Sequence, residues 1–327
     1  MNSTSVETRK VQKTSDGTAL ISLPKNWVKR FKLDKRSQIY VRERADGCLV
    51  LDPQYAVEIS PEITLKFSAR VEDDILSSYL SGYELITIED HKVLNGGPDK
   101  IKHAANRLIG VEIIEEDSSK VVLQCMLKPT AFSPEKILRR EYALSSNMFK
   151  EAFEALVNGD IKLAEVIPKR DEEIDRLYFL LVRLLRSLII NPRLSEKMEI
   201  SLIDCLDYRL IASLIENIAD QAVDISRKIV ESKHYKFPSE VLDKTIKLGE
   251  TIMSAYDDAI KAIFSKDERI LNAAIRKRED ATMILSEVEE SFREQKKFNQ
   301  YLIYTFLAMI HRIIDYIKDM DDLVASV

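Results

Sequence analysis

The chain has 327 residues, of which 45% are hydrophobic and 31% are charged; its net charge is −5, and it has only 8 glycines and 9 prolines. This composition excludes a disordered or fibrous protein and favours two or three mainly helical domains. Three cysteines without CxxC spacing argue against a disulfide framework and a cysteine zinc site. The longest apolar run, 301–310, is too short for a membrane span, and the start lacks the apolar core of a signal peptide, so we expect a cytoplasmic protein without membrane insertion.

The first part of the chain is basic. Residues 1–45 carry 11 Lys and Arg against 4 Asp and Glu, and the rest of the chain is acidic. A basic head on an acidic body indicates that the head meets a polyanion. Short strands are predicted at 8–14, 18–24, 38–44 and 48–53, with turns at 15–17 and 46–47 and a helix at 25–31. So short a segment cannot readily enclose a core, so we expect two copies to intertwine as a homodimer that buries Val11, Ile21, Leu23, Leu33 and Val41.

The segment RKVQKTSDGTALISLPKNWVKRFKLDKRSQIYV, residues 9–41, resembles swapped-hairpin DNA-binding domains of the AbrB/SpoVT type. The resemblance extends over residues 6–53 and implies a homodimer that binds double-stranded DNA. Arg9 matches the arginine before the first hairpin of that family, whereas Thr18 stands where many members have another arginine. The DNA-binding residues implied are Arg9, Lys10, Lys13, Lys25, Lys29 and Arg30. The alternative is a basic dimerisation module that does not bind DNA.

Residues 54–130 alternate between strand and helix patterns in the order strand, helix, strand, helix, strand, strand. Two helices can then cover one face of a small sheet, which predicts a compact α+β domain. Gly96-Gly97 is interpreted as a plain turn, because no Lys-Ser/Thr follows at the spacing of a phosphate-binding loop.

Helical periods dominate from Pro134 onward. Apolar residues that step by 3, 4, 3 and 4 predict bundle packing; they are Ile174, Leu177, Leu181, Leu184 and Leu188. Breaks at 158–160, 191–192, 237–238 and 265–267 divide the helices. The pattern predicts two consecutive three-helix bundles, at 131–235 and 236–327.

One predicted helix, around 206–230, carries an acid at every fourth position: Glu216, Asp220 and Asp224. On an α-helix this spacing forms one slightly slanting stripe beside an apolar arc. The design returns near the C-terminus, where Asp315 and Asp319 correspond to Asp220 and Asp224. The stripe is open to two interpretations: a solvated helix face with surface ion pairs such as Asp224–Arg227, or a row of oxygen ligands for a hard or borderline cation.

The motifs DEEID (171–175), IENIADQAVDI (215–225) and IHRIIDYIKDM (310–320) resemble the PhoU family of phosphate-uptake regulators. That family has two three-helix repeats whose E/DxxxD pairs bind metal ions on the bundle surface. In the second repeat His311 replaces the acid equivalent to Glu216, and Thr282 or Met283 replaces the acid equivalent to Asp175, so we expect that repeat to bind metal weakly or not at all. The metal ligands implied are Asp171, Asp175, Glu216, Asp220, Asp224, Asp315 and Asp319.

We therefore expect a multidomain, mainly α protein. Its parts are a swapped-hairpin β domain for DNA binding and dimerisation, a small α+β domain and two three-helix PhoU-like repeats; their boundaries are 1–53, 54–130, 131–235 and 236–327. This combination resembles archaeal-type PhoU regulators with an N-terminal SpoVT/AbrB-like domain.

The resemblance implies a non-enzymatic, DNA-binding transcriptional regulator of phosphate uptake and phosphate homeostasis. It also implies divalent or trivalent metal ions such as iron, zinc or magnesium, and as partners inorganic phosphate and components of a phosphate transporter or sensor kinase. Two alternatives remain. A carboxylate-bridged metalloenzyme is disfavoured because di-iron bundles use a Glu-x-x-His motif that the acid-bearing helices lack; a metal-free helical scaffold leaves the acids unexplained.

Overall fold

A computed structural model describes residues 7–43, 47–53, 60–90, 97–232, 239–293 and 300–325. The chain divides into two compact units, residues 1–59 and 60–327. Within the described ranges no helix is both long enough and apolar enough to cross a membrane.

The first unit contains two short hairpins and one helix. Its elements are β1 (Gln12–Lys13), β2 (Ala19–Leu20), α1 (Lys25–Arg30), β3 (Tyr40–Glu43) and β4 (Leu49–Asp52). The pairs β1–β2 and β3–β4 are antiparallel. The turn between β1 and β2 contains Gly17 at φ 88°, a conformation that favours glycine. The predicted strands and helix are confirmed in shorter form, while Asp46 of the second predicted turn lies outside the described residues.

The described part of this first unit has no buried residue. Val11, Val41 and Leu49 are 62%, 60% and 65% exposed, although they lie on or beside strands. A domain that exposes this much apolar surface to solvent lacks the burial of apolar side chains, which is the main contribution to folding stability. The unit therefore needs a second surface against which to bury these side chains.

The second unit begins with a four-stranded sheet and two helices. Its elements are β5 (Glu62–Lys66), α2 (Val71–Leu80), β6 (Leu85–Glu89), α3 (Gly97–Asn106), β7 (Val111–Glu116) and β8 (Lys120–Cys125). The strand order is β5-β6-β8-β7, in which only β5 and β6 are parallel. Buried residues of the two helices, such as Ile75 and Ile101, share one core with Ile86 and Leu123 of the sheet. The predicted order of strands and helices is confirmed. Gly97 starts α3, and Gly96 lies outside the described residues.

Helices make up the rest of the second unit. They are α4 (Pro134–Asn158), α5 (Ile161–Val166), α6 (Asp171–Ile190), α7 (Pro192–Lys197), α8 (Leu202–Glu231), α9 (Ser239–Ser265), α10 (Glu268–Arg293) and α11 (Gln300–Ala325). The long helices α4, α6 and α8 correspond to the first predicted bundle, and α9, α10 and α11 to the second. The six-residue helices α5 and α7 were not predicted, because so few residues carry no readable apolar period.

One continuous hydrophobic core joins all six long helices. All five leucine and isoleucine residues of the 3,4 spacing on α6 are buried, so the predicted packing face is confirmed. Helices α4 and α9 approach each other closely at Gly249, where an added Cβ would lie 2.4 Å from the Phe153 ring. The two helical repeats therefore pack directly against one another.

The two repeats also share a local design at the end of their first helix. Gly159 after α4 and Lys266 after α9 both adopt the left-handed conformation, with φ 67° and 52°. Each is followed by an aspartate, Asp160 or Asp267, at the start of the next helix. Because both helices end in the same way, aligning Asp160 with Asp267 matches the neighbouring residues of repeat 1 to those of repeat 2.

Arg183 of α6 ties the α+β region to the helices. Its guanidinium donates hydrogen bonds to the backbone carbonyls of Tyr79 (2.5 Å), Tyr83 (2.9 Å) and Gly82 (3.3 Å) at the C-terminal end of α2. It also lies 4.8 Å from the centre of the Tyr79 ring. A cation suits this position because the carbonyls at a helix C-terminus carry partial negative charge.

We expect Arg183→Met to lower the free energy of unfolding by about 2 to 3 kcal/mol, because three carbonyls lose their donor in a buried place. The measurement is urea denaturation followed by circular dichroism. Arg186→Met, an exposed change on the same helix, serves as the control and should stay within about 0.5 kcal/mol of the wild type. Equal effects of the two substitutions would contradict this role of Arg183.

Candidate functional site

Two pairs of carboxylates face each other between α6 and α8. Asp171 and Asp175 lie one turn apart on α6, and Glu216 and Asp220 lie one turn apart on α8. Ile174 precedes Asp175 and Ile215 precedes Glu216, and both isoleucines are buried. Their burial orients each helix so that the acids lie at the edge of the shared core. The charges of the two helices reach each other: Asp220 and Asp224 act on Asp171, and both Asp175 and Asp171 act on Glu216. Bundle packing thus brings together the four acids predicted from sequence.

The electrostatics of this carboxylate cluster (Asp171, Asp175, Glu216 and Asp220) disfavour full ionisation. Partial burial, and then the charges of Asp220 and Asp175, raise the pKa of Asp171 to about 6. Burial, and then Asp220, Asp175 and Asp171, raise the pKa of Glu216 to about 7. The pKa of Asp220 is also raised, by burial and then by Asp175 and Asp224. Near neutral pH the cluster therefore concentrates negative charge that either a proton or a cation can relieve.

Asp175 has a cationic partner from the α+β region. Arg107, which follows α3, places its Nη2 atom 3.2 Å from Oδ2 of Asp175 and lies 5.8 Å from the centre of the Phe179 ring. Burial raises the pKa of Asp175, while the guanidinium of Arg107 opposes that shift. The cluster thus touches a second structural element, and Arg107 neutralises only part of its charge.

The donors fit a hard or borderline cation, because all four groups offer carboxylate oxygens. Among the described residues, however, no three acidic, histidine or cysteine side chains converge closely enough, as they stand, to hold an ion. Chelation at this cluster therefore requires rotation of side chains, which exposure of Asp220 permits.

Asp224 lies one turn beyond the cluster and pairs with Arg227 at 3.5 Å on the exposed side of α8. This is the surface ion pair that the sequence offers as the alternative to a ligand. Its charge nonetheless reaches Asp171 and Asp220, whose pKa values it helps to raise. Asp224 is therefore at the margin of the cluster.

The second repeat does not reproduce the cluster. Counted from the shared helix end, Arg278 stands at the position of Asp171 and Thr282 at the position of Asp175. Arg278 donates to Oδ2 of the buried Asp321 at 2.8 Å. His311, at the position of Glu216, lies 3.0 Å from Glu289 of α10. The candidate ligands Asp315 and Asp319 are exposed on α11, so their metal binding stays a prediction.

Sequence reasoning missed Glu141 of α4. This side chain has 0% exposure, and neither of its carboxylate oxygens has a hydrogen-bond partner. Burial, and then the charge of Glu216, raise its pKa well above the usual range. A signal was available in the sequence: Glu141 falls between Ile137, Leu138 and Ser145 on the buried stripe of α4, where an acid is out of place.

The six basic residues predicted to bind DNA lie in the first unit. All six are exposed; they are Arg9, Lys10, Lys13, Lys25, Lys29 and Arg30. Lys29 and Arg30 occupy the last turn of α1, and Arg9 forms an ion pair with Glu7. Exposure leaves these cations accessible to a polyanion.

The raised pKa values predict a specific pH dependence of stability. An acid whose pKa is higher in the folded state than in the unfolded state costs stability above its folded value and costs none below its unfolded value. Chelator-treated protein should therefore lose stability as pH rises from about 4 to about 7, the window set by Asp171 and Glu216. At pH 8 the double variant Asp171→Asn, Glu216→Gln should be more stable than the wild type by about 1 kcal/mol after solvent screening.

Thermal melts followed by circular dichroism between pH 4 and pH 8 measure this effect. Glu154→Gln, an exposed acid of α4 outside the cluster, is the matched control and should melt like the wild type throughout. A stabilisation by the double variant that is the same at pH 4 and pH 8 would show that charge repulsion is not its cause.

The helical region is similar to known proteins. Residues 138–229 match a family model described as the PhoU domain. The crystal structure of the phosphate transport system regulatory protein PhoU from Streptococcus pneumoniae is 17% identical with a TM-score of 0.51, and the match covers 59% of this chain and 91% of that chain. The crystal structure of PhoU from Pseudomonas aeruginosa is 16% identical with a TM-score of 0.48, with coverages of 58% and 93%.

No curated protein matches the chain. The likeness to the S. pneumoniae protein shows a common helical fold. The residues that match the PhoU domain model lie within the helical region and include all four acids of the carboxylate cluster.

Proposed function

We propose that the protein is a regulator of phosphate uptake whose helical region binds multivalent cations and whose basic first unit binds DNA. The observation that carries the proposal is the carboxylate cluster between α6 and α8, where burial and mutual repulsion raise the pKa values of Asp171 and Glu216. The PhoU domain match over residues 138–229 supports the connection to phosphate. The S. pneumoniae protein that shares the helical fold is a phosphate transport system regulatory protein, which supports the same connection.

The cluster supplies what a cation needs. Asp171, Asp175, Glu216 and Asp220 would hold the ion through carboxylate oxygens, and their repulsion is relieved when a positive charge lies among them. A multivalent cation held there would supply positive charge that attracts inorganic phosphate. This arrangement supports a sensing role and requires no catalytic step by the protein.

The expected partners follow from the same proposal. Components of a phosphate transporter or of its sensor kinase are proposed as protein partners, since the S. pneumoniae protein that shares the helical fold is a phosphate transport system regulatory protein. The protein works in the cytoplasm in this proposal, where DNA and those partners are both accessible.

The metal proposal is tested on protein purified without a histidine tag. Glu216→Ala combined with Asp220→Ala should abolish stoichiometric metal in elemental analysis, because it removes both acids that α8 contributes, while circular dichroism should show an unchanged helix content. Asp207→Ala, near the N-terminal end of α8 and outside the cluster, is the control and should retain the wild-type content. Full metal content in the double variant would place the site elsewhere.

Asp315→Ala combined with Asp319→Ala determines whether repeat 2 contributes. A content below that of the wild type would assign a second site to α11, and an unchanged content would restrict binding to repeat 1.

The first unit supports the DNA-binding part of the proposal. Its described residues lack a core, and apolar side chains such as Val11 and Leu49 are exposed, which favours a second copy as the missing packing partner. A homodimer doubles the number of exposed cations that can face one duplex. The alternative, a basic dimerisation module, shares the packing argument and differs only in DNA affinity.

Binding to duplex DNA should depend steeply on salt. If about six cations per dimer neutralise phosphates, log K should fall with log salt at a slope near −5. Arg9→Ala and Lys29→Ala should each weaken binding and flatten the slope by about one unit, because each removes a phosphate contact. Fluorescence anisotropy with the full-length chain measures both quantities.

Lys150→Ala, an exposed change on α4, is the control and should leave affinity and slope unchanged. Absence of duplex binding by the wild type at about 50 mM salt, where the electrostatic term is strong, would reject DNA binding and favour the dimerisation module.

A further inference from the structure

Glu141 is an acid in a place that packing alone does not explain. Its side chain is fully buried in α4, and both oxygens lack a hydrogen-bond partner. A buried polar group without a partner costs about 1 to 3 kcal/mol, and an unpaired charge costs more. A residue of this kind is kept only where something offsets the cost.

The surroundings of Glu141 point toward the carboxylate cluster. Ser145, one turn further along α4, donates a hydrogen bond to the carbonyl oxygen of Ile215 at 3.0 Å, and Ile215 is the neighbour of Glu216. This bond fixes the register of α4 against α8 and places Glu141 within one turn of the level of Glu216. The charge of Glu216 acts on Glu141 strongly enough to raise its pKa further.

The positively charged side chain that acts on Glu141, Arg209, does not form a hydrogen bond with it. Arg209 of α8 opposes the rise in the pKa of Glu141. Its guanidinium, however, lies over the Tyr178 ring at 4.6 Å and forms no hydrogen bond with either oxygen of Glu141. Glu141 therefore retains unused acceptor capacity on the side of the bundle where the cluster lies.

The second repeat supplies an internal control. Glu141 precedes Asp160 by the same number of residues as Leu248 precedes Asp267, and both intervening segments end in the same left-handed turn. Leu248 is fully buried in the common core. A leucine thus meets the packing needs of this position in the repeat that has Arg278 and His311 in place of two of the cluster acids.

We propose that Glu141 is a fifth oxygen ligand, contributed by a third helix, for the cation at the carboxylate cluster. This inference rests on the proposed metal binding by Asp171, Asp175, Glu216 and Asp220. It goes beyond the paired-acid motifs, because α4 has no acid one turn before or after Glu141. In this proposal Glu141 binds the ion from the buried side, whereas the other four acids bind it from the edge of the core.

The experiment uses full-length protein stripped of metal and titrated with Mn²⁺, with free Mn²⁺ measured by its paramagnetic resonance signal. Glu141→Leu introduces the residue of the second repeat, and Glu141→Gln keeps the shape but removes the charge. Both should weaken Mn²⁺ binding by about 10- to 100-fold, the range typical when a group that supports a metal site is lost. Glu154→Gln, an exposed acid of α4, should bind like the wild type.

A second readout separates a ligand from a packing residue. Without metal, Glu141→Leu should melt at a higher temperature than the wild type, because a buried unpartnered acid is replaced by an apolar side chain. With Mn²⁺, the wild type should gain more thermal stability than this variant does, since the ion binds the wild-type folded state more tightly.

The outcomes distinguish this inference from the proposed function. Unchanged Mn²⁺ affinity in both Glu141 variants, together with loss of binding in Asp171→Asn, Glu216→Gln, overturns the role of Glu141 and leaves the site on α6 and α8 intact. Absence of Mn²⁺ binding by the wild type overturns the metal site and the inference together. Weakened binding in both Glu141 variants, with wild-type behaviour in Glu154→Gln, establishes the fifth ligand.

Discussion

The helical region depends on one constraint: the apolar packing of α4, α6 and α8 forces acids on neighbouring helices toward each other. Ile174 and Ile215 are fully buried, and the acids next to them follow wherever those helices pack. The hydrophobic stabilisation of such a core greatly exceeds the repulsion between a few half-buried carboxylates. The repulsion therefore persists in the folded state, where it raises the pKa values of Asp171 and Glu216 instead of separating the helices.

The two repeats resolve this constraint differently. In repeat 2, Arg278 neutralises the buried Asp321, and His311 pairs with Glu289. In repeat 1 the positions of Arg278 and His311 carry the acids Asp171 and Glu216. Arg107 pairs with Asp175 at the same cluster. The same helical fold thus has a buried acid paired with an arginine in repeat 2 and a cluster of four half-exposed or exposed acids in repeat 1.

Much of the fold could be predicted from sequence, because its signals are local or periodic. The 3,4 spacing on α6, the alternation of strands and helices in residues 60–125 and the break at Gly159 each follow from a few residues along the chain. The short helices α5 and α7 could not be predicted, because six residues contain less than two turns. The merging of both bundles into one core also depends on contacts such as Gly249 with Phe153, which no local pattern contains.

The candidate site was predictable in part for the same reason. The spacing of Glu216 and Asp220 along one helix indicates a stripe, and the bundle then supplies Asp171 and Asp175 on the facing helix. The ion pair between Arg107 and Asp175 joins residues from different structural elements, so that pairing could not be read from the chain. Glu141 was accessible to sequence reasoning, since an acid on an otherwise apolar stripe is visible without a structure, but its proximity to Glu216 required the register of α4 against α8.

Helix α4 connects the cluster with the second repeat. Next to Glu141, Tyr142 donates a hydrogen bond to Asp257 of α9 at 2.9 Å, and Tyr256 donates to Ser145 at 3.3 Å. The two tyrosine rings also meet edge to face, with centroids 4.9 Å apart. One turn of α4 therefore carries both Glu141, on which the charge of Glu216 acts, and the contacts of this helix with α9. The helix that borders the cluster is thus also the helix that holds the two repeats together, while Arg107 joins Asp175 to the α+β region.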